Sequence, residues 1–193
     1  MPVLYWDGEA LAQSMAIARF VARKVLNITI IVIIFIYCCH RRSYHHNDCQ
    51  VGLAGKSDLE FCQADMIACH YEDIWTKLPK MKFAKSQEER EELAKEFLTE
   101  FMPKWLKPLE AILAKRGNGW FAGNGATFAD LAIMCALDFL QEPLEMSFMD
   151  MDNVAERNKI LDDYPLVKAN YQKTNKVPFV VEWKKRRPAF AGL

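Results

Sequence analysis

The chain has 193 residues, 51% hydrophobic and 26% charged, a balance that fits one or two globular domains and excludes a disordered or fibrous polymer. Its 25 basic and 25 acidic side chains cancel, so it lacks the basic excess with which a general nucleic-acid binder displaces counterions. Six cysteines, none in a CxxC pair, make no disulfide scaffold, and Met1-Pro2-Val3-Leu4 opens no signal peptide; both point to a reducing, cytoplasmic compartment.

In chain order, Pro2 to Trp6 predicts a strand, Asp7-Gly8 a tight turn, and Glu9 to Ala12 the returning strand of a hairpin. Ser14 suits a helix N-cap, with Ile17, Phe20 and Val21 as the apolar face of a helix reaching Lys24. From Ser57 onward the pattern is helical. Ser57 and Glu60 form a capping box. The helix they open carries Leu59, Cys62, Met66, Cys69 and His70 towards one side and is expected to end near Leu78-Pro79. On this pattern Cys62, Cys69 and Cys135 read as small core residues. Ser86 and Glu89 open a second box, followed by a stripe of Leu93, Phe97, Phe101 and Trp105 that Leu109, Ile112 and Leu113 continue. Pro103 and Pro108 should bend this long helix, and Gly117-Asn118-Gly119 stops it.

Thr127 to Asp130 is a third box, ahead of Leu131, Ile133, Met134 and Leu137, and its apolar surroundings predict a central buried helix. The cap alone sets the expected cost of Asp130→Ala at ~1–2 kcal/mol. Shorter helices follow around Val154 to Leu161, Leu166 to Lys173 and Pro178 to Lys185. Met66, Met102, Met146, Met149 and Met151 either line an adaptable apolar pocket or fill a core. The dense charge from Lys80 to Lys95 reads as an exposed helix start, and Lys184 to Arg187 as cations suited to a helix C-terminus.

Residues 25–51 stand apart. Ile28 to Tyr37 is almost wholly β-branched or aromatic, yet Val25 to Cys39 falls short of the about 20 apolar residues a membrane helix needs. The Cys38, Cys39, His40, His45, His46, Asp48 and Cys49 that follow offer metal-ligand types without the paired spacing of structural zinc sites, so no metal is assigned. Valine codons begin with GT and glutamine can be CAG, so Val25 to Gln50 is compatible with a short in-frame intron translated into the chain. Transcript reads across this stretch at full depth would rule that origin out.

The ordered set Pro2-Val3-Leu4, Asp7-Gly8 and Gln13-Ser14-Met15-Ala16-Ile17-Ala18-Arg19 resembles the second half of the thioredoxin-like domain of glutathione S-transferases. Gly52-Leu53-Ala54-Gly55-Lys56, the Gly123 to Asp130 stretch and the ending Val177-Pro178…Trp183…Arg187-Pro188 resemble the helical domain of the same family. The sigma class, that of the haematopoietic prostaglandin D synthases, is the most similar. The resemblance implies a mainly α fold: residues 1–24 as a partial thioredoxin-like α/β unit (a β-hairpin plus a helix), 25–51 as an unrelated insert, and 52–193 as the all-helical C-terminal domain.

It also implies a chemistry. Glutathione must be held while its thiol becomes a thiolate, the form that attacks electrophiles. In this family a cis-proline exposes the next backbone group to the glutathione cysteinyl, and Pro2 and Val3 occupy those positions. Ser14, at a helix N-terminus, and Gln13 offer hydrogen bonds to the γ-glutamyl moiety, whose carboxylate the helix dipole favours. Asp73 stands where an acidic residue of one subunit reaches glutathione bound by the other, so a homodimer is implied. Thr127 and Asp130 match the family's structural capping box. The thiolate-stabilising tyrosine of the family sits on a strand whose counterpart would lie before Met1, so no catalytic residue is assigned. Two readings follow. One is a cytoplasmic glutathione transferase, conjugating or isomerising small electrophiles with glutathione as co-substrate and no nucleic acid or membrane as partner. The alternative is a catalytically inactive relative that binds and dimerises.

Overall fold

The computed structural model of the chain describes residues 3–24, 53–141 and 159–186. Pro2, the segment 25–51, and Met146, Met149 and Met151 lie outside the described residues. Strand β1 (Val3–Trp6) pairs antiparallel with β2 (Glu9–Ala12), Val3 facing Ala12 and Trp6 facing Glu9. The connecting Asp7 and Gly8 both have positive φ, 49° and 87°, the backbone of a tight turn matched to strand twist. Helix α1 (Ser14–Lys24) follows and packs back on both strands.

The remaining elements are helical. They are α2 (Asp58–Lys82), α3 (Gln87–Glu96), a π-turn (Phe97–Phe101), α4 (Met102–Arg116), α5 (Phe128–Gln141), a short 3-10 turn (Ile160–Asp163), α6 (Pro165–Asn175) and α7 (Pro178–Arg186). Helix α5 is central, as its sequence predicts: residues 128–138 are buried all round, against α2 on one side and α6 on another. Each large apolar side chain sealed there contributes about 1.5–3 kcal/mol, which makes α5 the axis of the core. Ser57 and Ser86 cap α2 and α3 through Glu60 N–H and Glu89 N–H, as their boxes predict. Gly117, at φ 70°, closes α4 with its N–H on the Leu113 carbonyl.

Several expectations are corrected. Helix α2 does not stop at Pro79 but runs through it to Lys82, where the Phe83 N–H reaches the Pro79 carbonyl. Its buried face is Ala64, Ile67, Ala68, Tyr71, Ile74, Leu78 and Met81. The predicted face of Leu59, Cys62, Met66 and Cys69 is exposed instead, so these two cysteines are not core residues, whereas Cys135 is buried. Both sides of α2 carry apolar residues here, and close approach to α5 selects the side with the small Ala64 and Ala68. Ser14 is the first helical residue rather than the cap; the Gln13 carbonyl accepts the first helical bond, from the Ile17 N–H. The long helix from Gln87 to Arg116 is interrupted by the π-turn immediately before Pro103. Pro103 has no N–H for the carbonyl one turn back, and the wider turn absorbs the mismatch while the Thr99 hydroxyl donates to the Lys95 carbonyl. Of the stretch around Val154 to Leu161, the part from Ile160 is a 3-10 turn and the part before 159 is outside the described residues.

Candidate functional site

The hairpin and α1 bring three of the proposed glutathione-site residues into one unit. Because the tight turn closes on Trp6 and Glu9, ladder bonds alternate along the pair: Leu4 bonds Leu11, while the peptide groups of Val3 and Tyr5 point away from β2. Val3 therefore offers an outward N–H and C=O to anything laid along β1 as a further strand. At the other end of the hairpin, Gln13 is exposed and holds φ 75°, a left-handed backbone uncommon for a residue with a side chain. This bend turns the chain directly from β2 into α1. With the first helical bond running from Ile17 to Gln13, the N–H groups of the first turn, Ser14 included, have no acceptor within the helix. The positive end of the helix dipole sits at the same place and favours a carboxylate.

Arg19, one turn and a half further along α1, fastens this unit to α2. Its guanidinium donates to the Asp65 carboxylate and to the Cys69 sulfur, the latter at 3.1 Å. Asp73 lies one turn beyond Cys69 on α2 and does not join Val3, Gln13 and Ser14. It is largely exposed, with Oδ2 3.6 Å from His70 Nδ1. The His70 ring is clamped: it stacks on Trp105 at 5.2 Å, its Nε2 lies 2.8 Å from the Trp105 carbonyl, and the indole N–H donates back to the His70 carbonyl. Sequence reasoning placed His70 on an apolar face and missed this clamp; the only prior signal was a polar ring among core positions.

Thr127 and Asp130 occupy the N-terminus of α5, fully inside the protein. Asp130 Oδ2 accepts from the Thr127 N–H and hydroxyl, each at 2.8 Å. Oδ1 accepts from the Phe121 N–H at 3.1 Å and the Asn170 amide at 2.8 Å. The cap is thus a junction between the loop before α5, α5 itself and α6, with the Phe128 N–H met by the Leu53 carbonyl. Burial pushes the Asp130 carboxyl above its ordinary 3.8, the donors only partly offsetting it. A second buried carboxylate on α5, Asp138, was not singled out from sequence. It receives the Tyr171 hydroxyl at 2.5 Å and lies 2.6 Å from the Lys184 ammonium, joining α5 to α6 and α7. Among the described residues, no helix is long and apolar enough to cross a membrane.

A sequence model of the glutathione S-transferase C-terminal domain matches residues 72–187. The glutathione S-transferase of Plasmodium yoelii yoelii is 26% identical over 178 residues, which are 92% of this chain and 64% of that protein. The chain thus spans less than two thirds of that relative's length. The hematopoietic prostaglandin D synthase of Homo sapiens is 26% identical over 188 residues, 97% of this chain and 73% of that protein. Among solved structures, Na-GST-3, described as a monomeric glutathione S-transferase from the hookworm Necator americanus, superposes with a TM-score of 0.66 at 26% identity. That superposition covers 95% of this chain and 72% of the hookworm one.

Proposed function

Since the chain belongs to the glutathione S-transferase family, we propose that its β1–β2–α1 unit holds glutathione for a sigma-type transferase that conjugates or isomerises small electrophiles. The glutathione cysteinyl lies along β1 as an added strand, paired with the outward peptide of Val3, which Pro2 precedes in the sequence at the family's cis-proline position. The γ-glutamyl carboxylate meets the open N–H groups at the start of α1, where Ser14 stands, and the Gln13 carboxamide hydrogen-bonds the same moiety. The partner subunit's Asp73 reaches the γ-glutamyl amino group across a homodimer. The described residues bind and orient the tripeptide. The hydroxyl that stabilises the thiolate is not assigned to any of them, and the electrophile lies against the helical domain. Residues 1–24 are the glutathione-binding unit, 25–51 an insert foreign to it, and 52–193 the helical domain, in a cytoplasmic protein.

The observation that carries this reading is the placing of Val3's strand edge, unpaired among the described residues, beside a helix start set by the left-handed Gln13. The test is retention of the full chain on immobilised glutathione, together with turnover of a chromogenic electrophile. Retention with turnover supports the transferase. Retention alone favours the catalytically inactive binding protein, and failure of both overturns the site. Oligomeric state is measured separately by light scattering, because one structural relative is described as monomeric.

A further inference from the structure

The loop between α4 and α5 contains two Asn-Gly pairs, Asn118-Gly119 and Asn124-Gly125. Such a pair is open to one spontaneous reaction, because glycine has no Cβ to keep its backbone nitrogen away from the preceding carboxamide carbon. Both asparagines reach solvent, so exposure does not distinguish them. Hydrogen bonding does. The Asn118 side chain is tied at both ends: its Oδ1 accepts from the Trp120 N–H at 3.1 Å, and its Nδ2 donates to the Gly123 carbonyl at 2.9 Å. The backbone there is held as well, the Asn118 carbonyl by the Lys173 ammonium at 2.8 Å and the Gly119 carbonyl by the Asn170 amide at 2.9 Å. A Cβ at Gly119 would meet Lys173 Nζ at 3.3 Å, so this pair is crowded.

Asn124-Gly125 is held far less. Among the described residues the Asn124 side chain has a single partner, Asn118 Nδ2 donating to its Oδ1 at 3.4 Å, and no acceptor holds the Gly125 N–H. That long bond falls on the carbonyl oxygen, where a donor draws electrons from the carbon and favours attack on it. A Cβ at Gly125 would meet nothing within 4 Å. The reaction needs only water. The Gly125 nitrogen gives its proton to solvent and bonds to Asn124 Cγ; the Cγ–Nδ2 bond breaks, and ammonia leaves as a five-membered imide closes. Water then opens the imide at either carbonyl. The product is aspartate or, with the chain rerouted through the side-chain carbon, isoaspartate. No electrons are exchanged, and either product adds a negative charge to a chain whose net charge is zero. The same attack at Asn118 first requires both of its short bonds to open, which slows it roughly tenfold or more.

We propose that Asn124 is a deamidation and isoaspartate-forming site of the folded chain, and that Asn118, with the same following glycine, is protected by its bonds to Trp120 and Gly123. The test is incubation of the full chain in warm, mildly alkaline buffer, folded and in parallel in concentrated guanidinium, followed by peptide mass mapping of the two pairs. A protein isoaspartyl methyltransferase with a labelled methyl donor, acting on the resulting peptides, reports isoaspartate independently. In the folded chain Asn124 is expected to convert roughly tenfold faster than Asn118, or more, and to yield a methylatable peptide. In guanidinium, where the loop's hydrogen bonds are gone, the two rates should converge. Gly125→Ala, which the open space admits without a clash, should keep the helical circular dichroism and suppress conversion at Asn124, because the added methyl hinders the backbone nitrogen. Equal rates at the two pairs in the folded chain overturn the proposal. So does an Asn124 that stays intact when folded yet converts in guanidinium, or a Gly125→Ala chain that deamidates as fast as the native one. None of these readouts involves glutathione, so failure of the column test leaves this outcome separate.

Discussion

At Asp130 a single carboxylate replaces what would otherwise be buried donors without acceptors. Truncation to alanine removes a helix cap and also strands the Phe121 and Thr127 N–H groups and half of the Asn170 amide bonding. The expected loss is therefore about 3 kcal/mol, above the ~1–2 kcal/mol of a cap alone, and urea denaturation of Asp130→Ala measures it. The pH dependence has a definite sign. A carboxyl raised above 3.8 in the folded state holds its proton more tightly there than in the unfolded chain. The stability that follows is complete below that value and is lost as pH rises through the folded one. Asp130→Asn does not titrate, so the advantage of the native chain over this variant should shrink between pH 4 and pH 7; a constant gap contradicts the raised proton affinity. Gln13 poses the opposite problem, a side chain on a left-handed backbone. Glycine relieves about 1–2 kcal/mol of steric cost there, and its own larger chain entropy takes back about 0.5–1 kcal/mol. Gln13→Gly is thus expected to hold or slightly raise the urea midpoint. If the carboxamide binds glutathione as proposed, the same variant elutes earlier from a glutathione column.

Helices were legible in the sequence wherever a cap and a period agreed. The boxes at Ser57, Ser86 and Thr127, the stop at Gly117 and the all-apolar α5 are local signals, and the structure keeps each of them. What was not legible depends on partners. The buried face of α2 is chosen by α5, which takes Ala64 and Ala68 and leaves Leu59 and Met66 outside, at 69% and 54% exposure. Proline rules placed the end of α2 too early because Pro79 sits on an exposed side, where losing one bond is tolerated. The site divides the same way: the strand–turn–helix order of Val3, Gln13 and Ser14 is local and readable. The polar ties among helices join residues far apart in the chain. Asp138 is the clearest case, since nothing near it in sequence announces Tyr171 or Lys184. Lys184→Met should leave this carboxylate, 7% exposed, without its cation and loosen α7 from α5. The expected cost is about 2 kcal/mol, less than for a fully buried pair because the Lys184 side chain is 26% exposed. Hydrogen exchange should rise in α7 before it rises in α5.

Across the whole molecule, the hairpin unit and the helical domain share one apolar core. Ile17, Ala18 and Val21 of α1 belong to the same buried cluster as Leu53, Ile67 of α2 and Leu131 of α5. Arg19 adds a polar tie from α1 to Asp65 and Cys69 on α2. The two ends of the chain that flank residues 25–51 are thus held by contacts of their own: Ala22 on one side, Leu53 on the other, both buried in that cluster. If Val25 to Gln50 is foreign to the fold, as its composition suggests, these contacts are sufficient without it. A chain lacking Val25 to Gln50, with Lys24 joined to Val51, is then expected to unfold in one cooperative transition at a temperature no lower than the full chain, with undiminished helical circular dichroism. A glutathione column gives the functional counterpart, since the shortened chain keeps Val3, Gln13 and Ser14 in the same order. A lower melting temperature, or loss of cooperativity, would mean that residues 25–50 contribute contacts the core requires and that they belong to the fold.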